Sequence, residues 1–198
     1  MSSIPFPEPL VDAHWTLPSR GRVGMISLIA AESAMFTIFV VAYVFYLGKS
    51  LAGPVPKDVL TIPIFSTVCL LSSSLSIHLS VRALRNAKIG IFAAWWFITM
   101  ALGAIFLIET GREWQKLIFD EGFTVSTNLF GTTYYSLVGL HAFHVTAGLL
   151  AIALTLIFTL AGKVKPEHSE RLDIFSLYWH FVDVVWVIVF TVVYVIGR

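Results

Sequence analysis

Residues 174–196 read IFSLYWHFVDVVWVIVFTVVYVI, an apolar run whose strongly polar members are His180 and Asp183. A bilayer core takes about 20 apolar residues per helix, so this stretch reads as a transmembrane helix. Working back from it, four more runs have the same character: approximately Gly24–Leu47, broken by Glu32, then Val59–Val81, Ile89–Ile108 and Leu129–Ala161. None shows the period-two alternation of a membrane barrel. The composition agrees. The 198 residues are 57% hydrophobic and 13% charged, with a mean hydropathy of +0.84. Soluble domains carry roughly 45–50% apolar and about 25% charged residues, so an ordinary cytosolic enzyme and a disordered tail are excluded. Net charge is +1, too weak a field to capture nucleic acid. Cys69 stands alone, leaving no internal disulfide and no thiolate metal cage. The expected fold class is all-α, an integral membrane bundle of five transmembrane helices.

Residues 1–22 are polar and proline-containing, without the apolar core and cleavage site of a signal peptide. They are expected to form an N-terminal cytoplasmic arm ahead of a single five-helix domain over 23–198. Orientation follows from short-loop cations. Arg20, Arg22, Arg82, Arg85, Lys88, Lys163, Lys165 and Arg171 fall on the N-terminal side, against Lys49, Lys57, Arg112, Lys116 and Arg198 opposite. The excess predicts a cytoplasmic N-terminus and a C-terminus outside. The loop around 109–128 mixes acids with Arg112, Trp114 and Lys116, and is expected to prolong the third spanning helix as an amphipathic stub.

An ionisable side chain at mid-bilayer costs about 2.5–3.5 kcal/mol on insertion scales, so each needs a partner or a purpose. At about 1.5 Å per residue, Glu32 lies roughly 12 Å into its run, and Asp183 sits at a similar depth. His180 and His78 share that half; His141 and His144 lie nearer the middle. Such a band implies a common interior or cleft. His141 and His144, at i and i+3, are expected on one helix face, and His180 and Asp183 repeat the spacing. A haem or metal site would need imidazoles converging from facing helices; the plainer reading is an interhelical hydrogen-bond network. Glu32 reads either as a proton-relay acid or as a neutral acid bonded to a neighbouring helix. Asp183 reads as structural, accepting from His180, His144 or the backbone. Trp95, Trp96, Trp114, Tyr178 and Trp179 fall near expected helix ends and read as interface belts. Trp186 and Phe190 lie deeper and read as packing residues. Gly139, Ala142, Ala147 and Gly148 permit close helix approach or an acyl-chain groove.

Several of these stretches match a known family. Tyr178-Trp179-His180-Phe181-Val182-Asp183-Val184-Val185-Trp186 resembles the closing signature of subunit III of haem–copper terminal oxidases, exemplified by cytochrome c oxidase. Gly139-Leu140-His141-Ala142-Phe143-His144-Val145, with Gly148, is similar to the penultimate-helix motif. Glu32 with Met35, Phe36, Phe39, Ala42 and Tyr43 resembles the family's acid-bearing helix, and Phe106-Leu107 with Glu113-Trp114 its third-helix end. The resemblance spans nearly everything after Arg20, in order. Departures are Ala31 where Ser is usual, Val41 for a Trp, Thr110 (beside Glu109) for a Gln, and Asp173 for a Glu.

The resemblance implies a five-helix bacterial form in the inner (plasma) membrane: an accessory, non-catalytic subunit of a proton-pumping oxidase that reduces oxygen to water with cytochrome c as donor. It implies no haem, copper or other metal in this chain, haem and copper in partner subunits, and bound phospholipid. Expected partners are oxidase subunits I and II, phospholipids and other respiratory complexes. Glu32 and Asp183 would inherit proton-antenna or buried-acid roles; His141, His144, His180, Trp186, Asp173 and His78 would inherit structural or lipid-contacting ones. Competing readings are the equivalent subunit of a quinol oxidase, a nitric-oxide-reductase-associated protein, a bis-His haem b anchor and a small secondary transporter.

Overall fold

The computed structural model describes residues 19–50, 53–54 and 56–197; residues 1–18 of the expected N-terminal arm lie outside the described residues. Helix α1 spans Arg20–Tyr46, a single turn α2 Pro56–Val59, α3 Ile64–Arg85, α4 Ile89–Phe119, α5 Leu129–Leu160 and α6 Ser169–Phe190. A 3₁₀ turn, Pro166–His168, leads into α6, and a π-helical stretch, Thr191–Ile196, continues it. No strand occurs among the described residues. Five helices are long and apolar enough to cross a membrane: α1, α3, α4, α5 and the continuous Pro166–Ile196 segment. The chain is a multi-pass, all-α membrane protein.

Boundaries follow local chemistry. The second apolar run begins at Val59, but Pro63 lacks the N–H that a helix interior requires. The helix therefore starts at Ile64, with Pro63 as its cap. Helix α4 continues 11 residues past Ile108, as the amphipathic stub predicts. Asn128 caps α5, its side chain accepting from the Gly131 N–H at 2.8 Å. Between α3 and α4, Ala87 takes a left-handed backbone (φ 57°). It closes the turn with Lys88 N–H to Ala83 C=O at 3.0 Å, making α3 and α4 an antiparallel hairpin.

Helices α3, α4, α5 and α6 form a four-membered ring in which each packs against the next, and α1 lies outside it against α5 and α6. Serines draw α3 onto α4: Ser76 Oγ meets Thr99 Oγ1 at 2.7 Å, and Ser80 donates to the Phe92 carbonyl at 2.8 Å. Small side chains let membrane helices approach closely, where dispersion and hydrogen bonds hold them. Indoles fill the ring's centre. Trp179, fully buried, is wedged between α4 and α5. A β-carbon on Gly103 would come within 3.1 Å of its ring, and one on Gly148 within 2.7 Å. Its Nε1 donates to Ser73 Oγ at 2.8 Å, so one side chain ties four helices. Trp96 is likewise buried and donates to the Ile152 carbonyl at 3.0 Å. The belt expectation is corrected for both: Trp179 falls in the middle of α6 because that helix starts before its apolar run, and a small-residue slot or carbonyl inside the ring receives each indole. Trp186 is a packing residue as expected, donating to Thr67 Oγ1 at 3.1 Å.

Candidate functional site

Four of the residues singled out from the sequence, Glu32, His144, His180 and Asp183, form two acid–imidazole clusters. The first joins α1 to α5. His144 Nδ1–H donates to the Leu140 carbonyl one turn back, at 2.8 Å, which turns Nε2 outward to Glu32 Oε2 at 3.1 Å. With Nδ1 committed as donor, Nε2 and the carboxyl share one proton. Either the acid donates to a neutral imidazole, or an imidazolium donates to a carboxylate. Phe36 covers the imidazole, ring centroids 5.0 Å apart, and Tyr178 Oη donates to the His144 carbonyl at 3.1 Å. The His144 side chain is 7% exposed and that of Glu32 23%. The acid therefore reaches the surface of the bundle and the imidazole does not.

The second cluster joins α3 to α6. The Ser74 hydroxyl donates in a short bond to Asp183 Oδ2, and its oxygen lies 2.8 Å from His180 Nδ1. Asp183 is buried and accepts from this serine, which stands between it and His180. The sequence expectation had His180, His144 or the backbone in that place. Its Oδ1 has no hydrogen-bond partner among the described residues.

His141 belongs to neither cluster. It is fully buried, stacked on Trp186 (centroids 5.0 Å, 30°) and edge-on to Phe106. Neither ring nitrogen has a partner among the described residues. Three residues along a helix leave side chains about 60° apart. Here that angle sends His144 to α1 and His141 into the ring, so the shared face does not bring them together. His141, His144 and His180 thus address three different seams. No group of three or more His, Cys, Asp or Glu side chains among the described residues is arranged to hold a metal ion.

At the end where α3 meets α6, Asp173 pairs with Arg85 at 2.8 Å. Both are substantially exposed, and such pairs contribute roughly 0–1 kcal/mol. His78, exposed, lines the same groove with Arg82 and Ser176. A third polar group stands at the far end of α4, around Glu113, which the resemblance places within the third-helix motif without giving it a role. Tyr194 Oη donates to the Glu113 carboxylate at 3.2 and 3.3 Å, and Tyr134 Oη lies 3.4 Å from Tyr194 Oη. A scan for acids inside apolar runs skips Glu113, which lies beyond one. The signal available was the i, i+4 pair Glu109 and Glu113 on the predicted stub.

Similar proteins bear on this arrangement. The model of the family described as cytochrome c oxidase subunit III matches residues 11–198. Cytochrome c oxidase subunit 3 of Synechocystis sp. is 36% identical over 191 residues, covering 92% of this chain and 78% of that one. The subunit of the same name from Alkalihalophilus pseudofirmus is 33% identical over 185 residues, 92% and 90% of the two chains. Subunit 3 of the cytochrome bo(3) ubiquinol oxidase of Pseudomonas aeruginosa is 32% identical over 171 residues, 85% and 81%. With a matching family model over nearly the whole length and the acid-bearing helix, imidazole motif and closing signature all in place, the chain belongs to the cytochrome c oxidase subunit III family.

Proposed function

We propose that this chain is an accessory, non-redox subunit of a proton-pumping terminal oxidase. It packs beside subunits I and II in the bacterial plasma membrane, N-terminus cytoplasmic, while haem and copper reside in the partners. The complex reduces oxygen to water with cytochrome c as donor. This subunit stabilises the catalytic one, binds phospholipid and supports proton uptake. The carrying observation is the Glu32–His144 pair, two groups sharing one proton at a half-open seam. A carboxyl at this depth is costly when bare. A partner able to take or give the proton keeps one of the two neutral or both paired, so a proton can be held without leaving an isolated charge. Beside it an apolar groove of about 210 Å³, lined by Phe36, Val40, Phe181, Val184 and Ile188 among others, suits an acyl chain.

Glu32→Gln keeps the side chain's shape and can still hydrogen-bond His144, but it cannot release a proton. Turnover of the assembled oxidase under sustained proton flux is expected to slow and to inactivate sooner. An unchanged rate and lifetime would remove the proton role.

A second reading, with quinol as donor, draws on the Pseudomonas relative named as a ubiquinol oxidase subunit. The subunit II that copurifies with this chain discriminates: a dicopper domain there means cytochrome c.

A further inference from the structure

The far end of α4 carries a built crevice unconnected with the α1 seam. Residues 61–66 and the last turns of α4 enclose about 310 Å³. Glu113 stands in its wall, half-buried and oriented by Tyr194 through both carboxylate oxygens. Tyr194 uses its single O–H here, so the carboxylate keeps further acceptor positions. Arg112 and Lys116 line the same crevice; Arg112 holds Glu109 at 2.6 Å and retains other N–H donors. The crevice therefore offers two acids, Glu109 and Glu113, and two cations, Arg112 and Lys116, side by side, and with Glu109 taken up by Arg112 the remaining groups are complementary to a ligand that carries both signs.

Its place in the membrane narrows the ligand. Glu109 lies 20 residues along α4 from Ile89, about 30 Å at 1.5 Å per residue, which is the thickness of the hydrocarbon core. The crevice thus sits at headgroup level. Ile64 and Phe65 continue its lining and are 64% and 66% exposed, forming an apolar edge toward the bilayer.

We infer that the crevice formed by residues 61–66 with Glu109, Arg112, Glu113 and Lys116 binds a phospholipid bearing a primary ammonium headgroup, of the ethanolamine class. The ammonium N–H groups donate to Glu113, and the phosphate oxygens accept from Arg112 and Lys116. An acyl chain descends over Ile64 and Phe65. A choline headgroup has the same charges but no N–H to donate, so it loses the charge-assisted bond at Glu113.

The test uses the full chain in its native assembly, in nanodiscs with equal ethanolamine, choline and glycerol phospholipids, and reads retained lipid by native mass spectrometry. The ethanolamine lipid is expected to exceed the choline lipid by about tenfold, the worth of one charged hydrogen bond. Glu113→Gln should abolish that preference, and Glu167→Gln, in the exposed turn before α6, should leave it intact. Equal retention of the two lipids, or a preference that survives Glu113→Gln, overturns the assignment. A measurement on the unaltered protein guards against a variant that does not assemble. An ethanolamine lipid with a photoreactive group beside its phosphate should crosslink to residues 61–66 or 109–117, and crosslinking confined to other segments overturns the site. Soluble glycerophosphoethanolamine at micromolar concentration should fail to displace the lipid; displacement would assign the crevice to a free headgroup instead. Because the test touches neither Glu32 nor the α1 seam, the oxidase reading and this one fail separately.

Discussion

Helices α1 and α6 each carry an acid toward an imidazole-bearing seam, yet the ring holds them in opposite ways. Helix α1 buries Phe36 and Tyr43 of its 27 residues, and Glu32 bonds to α5 from a position still open at the surface. Helix α6 buries Ser176, Trp179, Val182, Asp183, Val185, Trp186 and Val189, and Asp183 is sealed behind Ser74. An acid that packing has enclosed contributes to a fixed structure. An acid on a helix touching the bundle along one side can exchange with its surroundings. The same residue types at the same depth therefore support different roles, and the packing around them decides which.

Trp179→Ala would strain this contrast most. Emptying the slot between Gly103 and Gly148 is expected to cost about 3 kcal/mol or more, read as a lower unfolding midpoint in detergent or mixed micelles. A loss below about 1 kcal/mol, close to that of an ordinary surface change, would mean that the ring is not organised around this indole. Ser74→Ala comes next. It leaves both Asp183 oxygens without a donor among the described residues, a loss of about 1–3 kcal/mol by the same measurement. Glu32→Gln, which keeps a hydrogen bond to His144, should cost less than about 0.6 kcal/mol, the average for losing one between membrane helices. Its stability effect should thus fall below that of Ser74→Ala even though its effect on turnover is the larger. A Glu32→Gln loss that matched Ser74→Ala would erase the distinction between the seams. The smallest effect belongs to His141→Phe. No hydrogen bond among the described residues is lost and the stack on Trp186 is kept, so the change should stay within about 0.5 kcal/mol of zero. A clear destabilisation would instead reveal a polar partner for this imidazole.

The spans were legible because hydropathy reports what a bilayer demands, and α5 begins where the sequence placed it, at Leu129. Ends were less so. Helix α6 starts at Ser169, five residues before the apolar run, because Glu170, Arg171 and Asp173 are compatible with a helix though not with hydrocarbon. The depth band of polar groups was legible as well, since it is counted along each run. The partners were not. Helices apolar on every side carry no stripe to say which face meets which neighbour, so nothing in the order of residues distinguished His141 from His144. The serines of α3 were invisible for a related reason. Their small size and hydroxyls matter only once α4 and α6 are beside them, as Ser73, Ser74 and Ser76 each demonstrate.

The indole wedge also sets an order of events. Its slot is lined by α4 and α5, and its acceptor sits on α3, all of them earlier in the chain than Trp179. During synthesis the three helices must wait with that gap between them until the last of the five spans enters the bilayer and closes it. Until then no indole from within the chain fills that gap, and the bundle is closed only by its last span.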